Sequence, residues 1–163
     1  MTKRQRFASK RVLGSALRTS SPLGEEVRPG LQALESADKK KIHCTPSSFI
    51  TDSLALDRTT STTTPNAPRW DYIIGTKDPR DTLIGVEVHP ARFDQIKHVI
   101  EKKRTAKQVM EQNLRSGKRV CAWYWIASGK TPRISKTSRT FRQLAKSGIT
   151  LVGGQLQLPR PSR

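Results

Sequence analysis

Residues Trp70–Ala91, WDYIIGTKDPRDTLIGVEVHPA, decide how this chain folds. Two apolar runs, Trp70–Gly75 and Thr82–Val88, flank a polar Lys77-Asp78-Pro79-Arg80-Asp81 segment, the pattern of two strands joined by a turn. Each run carries one carboxylate, Asp71 or Glu87, where a half-buried strand favours a neutral residue. A hairpin centred near Asp78–Pro79 pairs residues whose numbers sum to about 157 or 158, which sets Asp71 opposite Val86–Glu87. Two carboxylates held together in a basic chain repel each other unless a cation or a shared proton compensates. The pair Asp71 and Glu87 is therefore a candidate divalent-metal site.

Downstream of the hairpin, Pro90 ends the second strand. From Arg92 to Ser116, Phe93, Ile96, Val99, Ile100, Ala106, Val109, Met110 and Leu114 recur at three- and four-residue spacing, which predicts a long amphipathic helix stopped by Gly117. Arg119–Ser128, RVCAWYWIAS, is short, aromatic and bounded by glycines, as a strand buried on both faces should be, with Trp123 and Trp125 as core residues. Strand, helix and strand in succession predict a βαβ unit with a parallel pair. Thr140–Ser147 reads as a short helix closed by Gly148, and Ile149–Leu158 as a last strand interrupted by Gly153-Gly154.

Upstream, Leu31–Cys44 has a moderate helical pattern. Thr45 and Pro46 predict the start of a second short helix reaching Leu56, and Asp57–Pro68 is a Thr-rich loop. The expected order is α, β, β, α, β, α, β. It predicts an α/β fold with a central mixed sheet flanked by helices.

Charge sets the class of partner. The 163 residues carry a formal net charge of +18. It is unevenly spread: residues 91–163 hold 17 basic against three acidic side chains, and residues 31–90 hold seven against eight. Such an excess repels itself unless an anion compensates, and its spread over helices, strands and loops favours nucleic acid over a membrane surface. Arg92, Lys130, Arg133, Lys136, Arg139 and Arg142 are the candidate phosphate contacts.

Residues 1–30 are expected to form a basic, disordered arm, residues 31–158 a single domain and residues 159–163 a loose tail. The arm's basic, acid-poor start also suits an organellar transit peptide. Cys44 and Cys121 are isolated, which suits a reducing cytoplasm. No run of 18 apolar residues suggests a membrane span. His43, Cys44, His89, His98 and Cys121 lack the paired spacing of a zinc site.

The element order, with Asp71 on the first hairpin strand and Glu87-Val88-His89 on the second, resembles the PD-(D/E)XK, or restriction-endonuclease-like, nuclease superfamily. The resemblance implies an αβ-hairpin-αβ core and hydrolysis of DNA phosphodiester bonds. It also implies that Asp71 and Glu87 ligate Mg²⁺ or Mn²⁺, and that Glu35 supplies an acid from the first helix. His89 stands where the superfamily has a lysine. That departure leaves three expectations open: a nuclease of altered mechanism in which His89 orients the water or ligates the metal, a nuclease whose lysine has moved, with Lys77 or Lys97 as candidates, or an inactive relative that binds nucleic acid through its basic face. The oligomeric state is left open, a dimer included.

Overall fold

The computed structural model describes residues 11–77, 80–129 and 137–160. The hairpin forms as expected, from β4 (Tyr72–Thr76) and β5 (Thr82–His89). Tyr72 pairs with Val86 and Thr76 with Thr82, so the step beyond Tyr72 brings Asp71 against Glu87. Helix α4 (Ile96–Asn113) follows after a single 3₁₀ turn, Phe93–Gln95, and β6 (Val120–Ala127) runs parallel to β5. Helix α5 (Arg139–Lys146) then leads to β7 (Ile149–Val152), which is parallel to β6.

The segment before the hairpin corrects the expectation of a second helix. Ile50–Ala55 is a strand, β3, antiparallel to β4 and buried at every position, followed by the one-turn α3 (Leu56–Thr60). Its sequence, ITDSLA, hides the strand because three polar side chains lie in a row, and each finds a partner far away in the chain. Asp52 accepts hydrogen bonds from the amides of Leu13 (3.0 Å) and Gly14 (2.8 Å), Thr51 accepts from Val12 (3.0 Å), and Ser53 accepts from Ala33 (3.2 Å). Burial of hydrogen-bonded polar groups is tolerated where burial of bare ones is not.

Those partners also revise the expected N-terminal arm. Residues 11–30 are integral to the fold: α1 (Val12–Ala16) packs on β3 and β4, and Val12, Leu13, Leu17, Leu23 and Val27 are buried. β1 (Arg28–Pro29) adds an edge to β3. The main sheet thus has six strands in the order β1-β3-β4-β5-β6-β7.

Between β1 and β3, only Ser36–Lys39 of the expected first helix is helical (α2). Ile42–Cys44 is instead a strand, β2, paired in parallel with β8 (Leu156–Leu158). Gly153-Gly154 does more than interrupt a last strand, because it divides Ile149–Leu158 between two sheets.

The main sheet separates two apolar layers. On one face Leu13, Leu54, Ile73, Trp70, Trp123 and Trp125 pack with Ile96, Val99, Ala106 and Met110 of α4. On the other, Ile74, Ile84, Val86 and Ile126 pack with Leu34, Ile42 and Leu156. Gly85 is required where the first layer is tightest: a Cβ there would come within 2.4 Å of Trp123 Cε3. Trp70 and Trp123 meet edge-on, at 5.1 Å between ring centroids and 89° between planes. That geometry is favoured by the ring quadrupoles.

Candidate functional site

Asp71 and Glu87 meet at the end of the hairpin farthest from its turn, where each carboxylate bonds the other strand's backbone. The Asp71 amide donates to Glu87 Oε2 at 3.0 Å, and the Val88 amide donates to Asp71 Oδ2 at 2.9 Å. The two acids therefore replace ladder hydrogen bonds just beyond the last regular pair. Strand alternation points Asp71, Glu87 and His89 to the face covered by α4.

Glu87 is 0 % exposed, and its second oxygen, Oε1, accepts from the ammonium of Lys102, which reaches down from α4. Burial, then the charge of Asp71, pushes the Glu87 carboxyl up to about 8, with Lys102 opposing the shift. Asp71 is also raised, first by burial and further by Asp38 and Asp57, against the Val88 amide and Lys102. Such mutual elevation is what two acids near one another produce when too little positive charge compensates them.

Asp71 lines a small recess of about 100 Å³ shared with Glu35, Asp57, Arg58 and Tyr72. The Tyr72 hydroxyl donates to Asp38 at 2.6 Å, so carboxylates gather on this side of the hairpin. Glu35 is thus close to the pair, but it sits exposed at the residue before α2, makes no capping hydrogen bond with its side chain, and is paired with Arg58. Among the described residues, no group of three or more His, Cys, Asp or Glu side chains converges as a ready-made metal site. The donors that fit a hard cation are the Asp71 and Glu87 oxygens, since Mg²⁺ commonly takes one or two carboxylates and fills the rest of its shell with water.

His89 lies beside this pair and bonds Gln95 through Nε2 at 3.0 Å, while its carbonyl accepts from Trp125 Nε1 at 2.9 Å. Of the lysines expected to substitute for the superfamily's own, Lys97 is exposed on α4 and Lys77 sits at the turn end of β4, away from the acids. Lys102, which sequence reasoning missed, is the one that reaches Glu87. Its signal was present: position 102 is three residues after Val99 and four before Ala106, on the apolar stripe of α4, where a solvated lysine does not belong.

Of the candidate phosphate contacts, Arg92, Arg139 and Arg142 are exposed, Arg92 beside Asp94 at 3.4 Å. Lys130, Arg133 and Lys136 lie outside the described residues. Next to Arg92, Phe93 is 58 % exposed, whereas the sequence pattern put it on the buried stripe. Trp123 and Trp125 are core residues, as expected. Among the described residues, no helix is long and apolar enough to cross a membrane. Comparison with models of known families, with curated proteins and with solved structures gives no match.

Proposed function

We propose that the protein is a metal-dependent nuclease that hydrolyses phosphodiester bonds of DNA, with Asp71, Glu87 and Lys102 at its centre. The observation that carries this reading is the pair of buried Glu87 and half-buried Asp71, braced by backbone amides and facing a lysine, in a chain of charge +18. Buried Asp52 is satisfied by two amides and a hydroxyl, whereas Asp71 and Glu87 crowd each other and are both raised, which favours a chemical role for this pair. The antiparallel run β3-β4-β5, followed by a helix and a parallel strand, also agrees with the nuclease superfamily that the motif resembles.

Asp71 and Glu87 would hold Mg²⁺ or Mn²⁺, which when bound polarises a phosphoryl oxygen and eases deprotonation of a water. Lys102 fills the charge role left open by His89, offering a cation to the phosphate as negative charge builds on it. The exposed Arg92, Arg139 and Arg142 supply phosphate contacts without sequence preference. Phe93, beside Arg92, offers a face on which a base can stack.

One observation favours a second reading, a catalytically inactive module that binds nucleic acid. Both Glu87 oxygens are engaged, one by the Asp71 amide and one by Lys102, so the lysine already supplies a compensating cation.

Incubation of the protein with plasmid and with single-stranded DNA, in Mg²⁺, Mn²⁺ or EDTA, separates the two. The nuclease reading expects cleavage that EDTA abolishes and that Asp71→Asn, Glu87→Gln and Lys102→Met each reduce by about 100-fold or more. DNA binding that is undiminished in these variants, with no metal-dependent cleavage by the parent, would establish the binding module instead.

A further inference from the structure

Lys102 and Lys103 are adjacent on α4, about 100° apart around its axis, and serve different places. Lys102 turns to Glu87 on β5. Lys103 donates to the carbonyl of Ser147, at the C-terminal end of α5, and its ammonium lies 5.6 Å from the centroid of the Trp123 ring. Beside it opens a cleft of about 470 Å³ between α4, the start of β6 and Gly148.

The lining of this cleft is lopsided in charge. Lys103, Lys107 and Arg119 face a single acid, Glu111, which sits 4.0 Å from Lys107. Burial, and then Lys107, make the Lys103 ammonium easier to deprotonate than a free lysine. Between and beside the cations the cleft is floored by the apolar Met110, Leu114 and Val120. The volume falls within the range of small-molecule sites, about 300–1,000 Å³.

We propose that this cleft binds a nucleotide, its phosphate held by Lys103, Lys107 and Arg119 and its ring set against Met110, Leu114 and Val120. An ammonium has three donors, of which the Ser147 carbonyl takes one, and a guanidinium suits the paired oxygens of a phosphate. Inorganic phosphate satisfies the cations but leaves the apolar floor bare. A neutral nucleoside does the reverse. A nucleotide meets both, whether free or as one unit of a strand. This inference does not rest on the nuclease reading, because it uses none of the residues at the carboxylate pair.

Cys121 lines the same cleft and is exposed, whereas Cys44, the other cysteine, is elsewhere on the molecule and only partly exposed. The test is the rate of Cys121 alkylation by iodoacetamide, read by mass spectrometry on the full chain, with Cys44 as internal control. The probes are thymidine monophosphate, thymidine, inorganic phosphate and a short oligothymidine.

The monophosphate is expected to slow Cys121 alkylation about tenfold at about ten times its half-saturating concentration, by mass action. Cys44 should be unaffected. Lys107→Ala and Arg119→Ala, both at exposed positions, should each weaken the protection about tenfold, as loss of a charge-assisted contact does. Protection by the oligonucleotide alone, lost in both variants, assigns the nucleotide to a strand. The proposal is overturned if neither monophosphate nor oligonucleotide protects, if protection persists undiminished in both variants, or if inorganic phosphate protects as well as the monophosphate.

Discussion

At the scale of single residues, the Glu87 carboxyl makes the most specific demands. An acid whose pKa is higher in the folded chain holds its proton more tightly there than when unfolded. Stability from this group therefore falls as pH rises from the unfolded value near 4.5 to about 8. Glu87→Gln should flatten that decline, measured as melting temperature between pH 5 and 8.5 against the parent. His98, whose pKa is lowered by burial and then by Lys102 and His89, works in the opposite sense below about 6.5 and is common to both proteins. Lys102→Met removes the cation that opposes the upward shift of Glu87, and should cost about 3 kcal/mol above pH 8, where the parent's ionised pair is lost, and clearly less at pH 6. Urea unfolding at the two pH values measures the difference, and an equal loss at both would mean that Glu87 does not titrate in this range. If the pair holds a divalent cation, 5 mM Mg²⁺ or Mn²⁺ should raise the melting temperature of the parent at pH 8 and leave Asp71→Asn unmoved.

At the scale of elements, α1 and β3 are mutually dependent. Helix α1 is only five residues long, too short to persist alone, and its first amides are bonded by Thr51 and Asp52 of the strand. The strand in turn tolerates two buried polar side chains because the helix bonds them. Asp52→Ala is expected to destabilise by about 2–4 kcal/mol, since it removes the acceptor of the Leu13 and Gly14 amides. Gly75→Ala should strike the same junction from the other side, because a Cβ would come within 2.2 Å of Asp52 Oδ1 and 2.7 Å of the Leu13 amide. In hydrogen exchange, both variants should lose protection at Leu13 and Gly14 before the β4–β5 hairpin does. Uniform loss across the sheet would show that α1 is not a separable unit. Local periodicity could not have revealed this junction, since a run of Thr51, Asp52 and Ser53 looks like a helix start or a loop until its partners, 20 to 39 residues earlier in the chain, are in place.

For the molecule as a whole, removing residues 1–10 and removing residues 1–30 should differ sharply. The longer truncation takes away five buried aliphatic side chains, Val12, Leu13, Leu17, Leu23 and Val27, each worth about 1.5–3 kcal/mol of burial. A chain beginning at residue 31 should therefore fail to fold cooperatively by circular dichroism, and a folded one would restore the view of these residues as an arm. The high positive charge also sets a salt test: DNA affinity should fall linearly on a log–log plot against salt, with a slope that reports the phosphates engaged. What the sequence determined by itself was whatever depends on near neighbours. The hairpin and its register followed from alternation and one turn, α4 from its 3.6-residue stripe, and the parallel β6 from the helix between the strands. Asp71 and Glu87 were legible as a pair for that reason. Only the tertiary structure decided what depends on distant partners: β3 with its buried Asp52, the core role of residues 11–30, and Lys102 rather than Lys97 on Glu87. A helix stripe says which residues face the sheet, but the rotation and height of the helix over the strands, set by packing, choose the lysine that meets the acid.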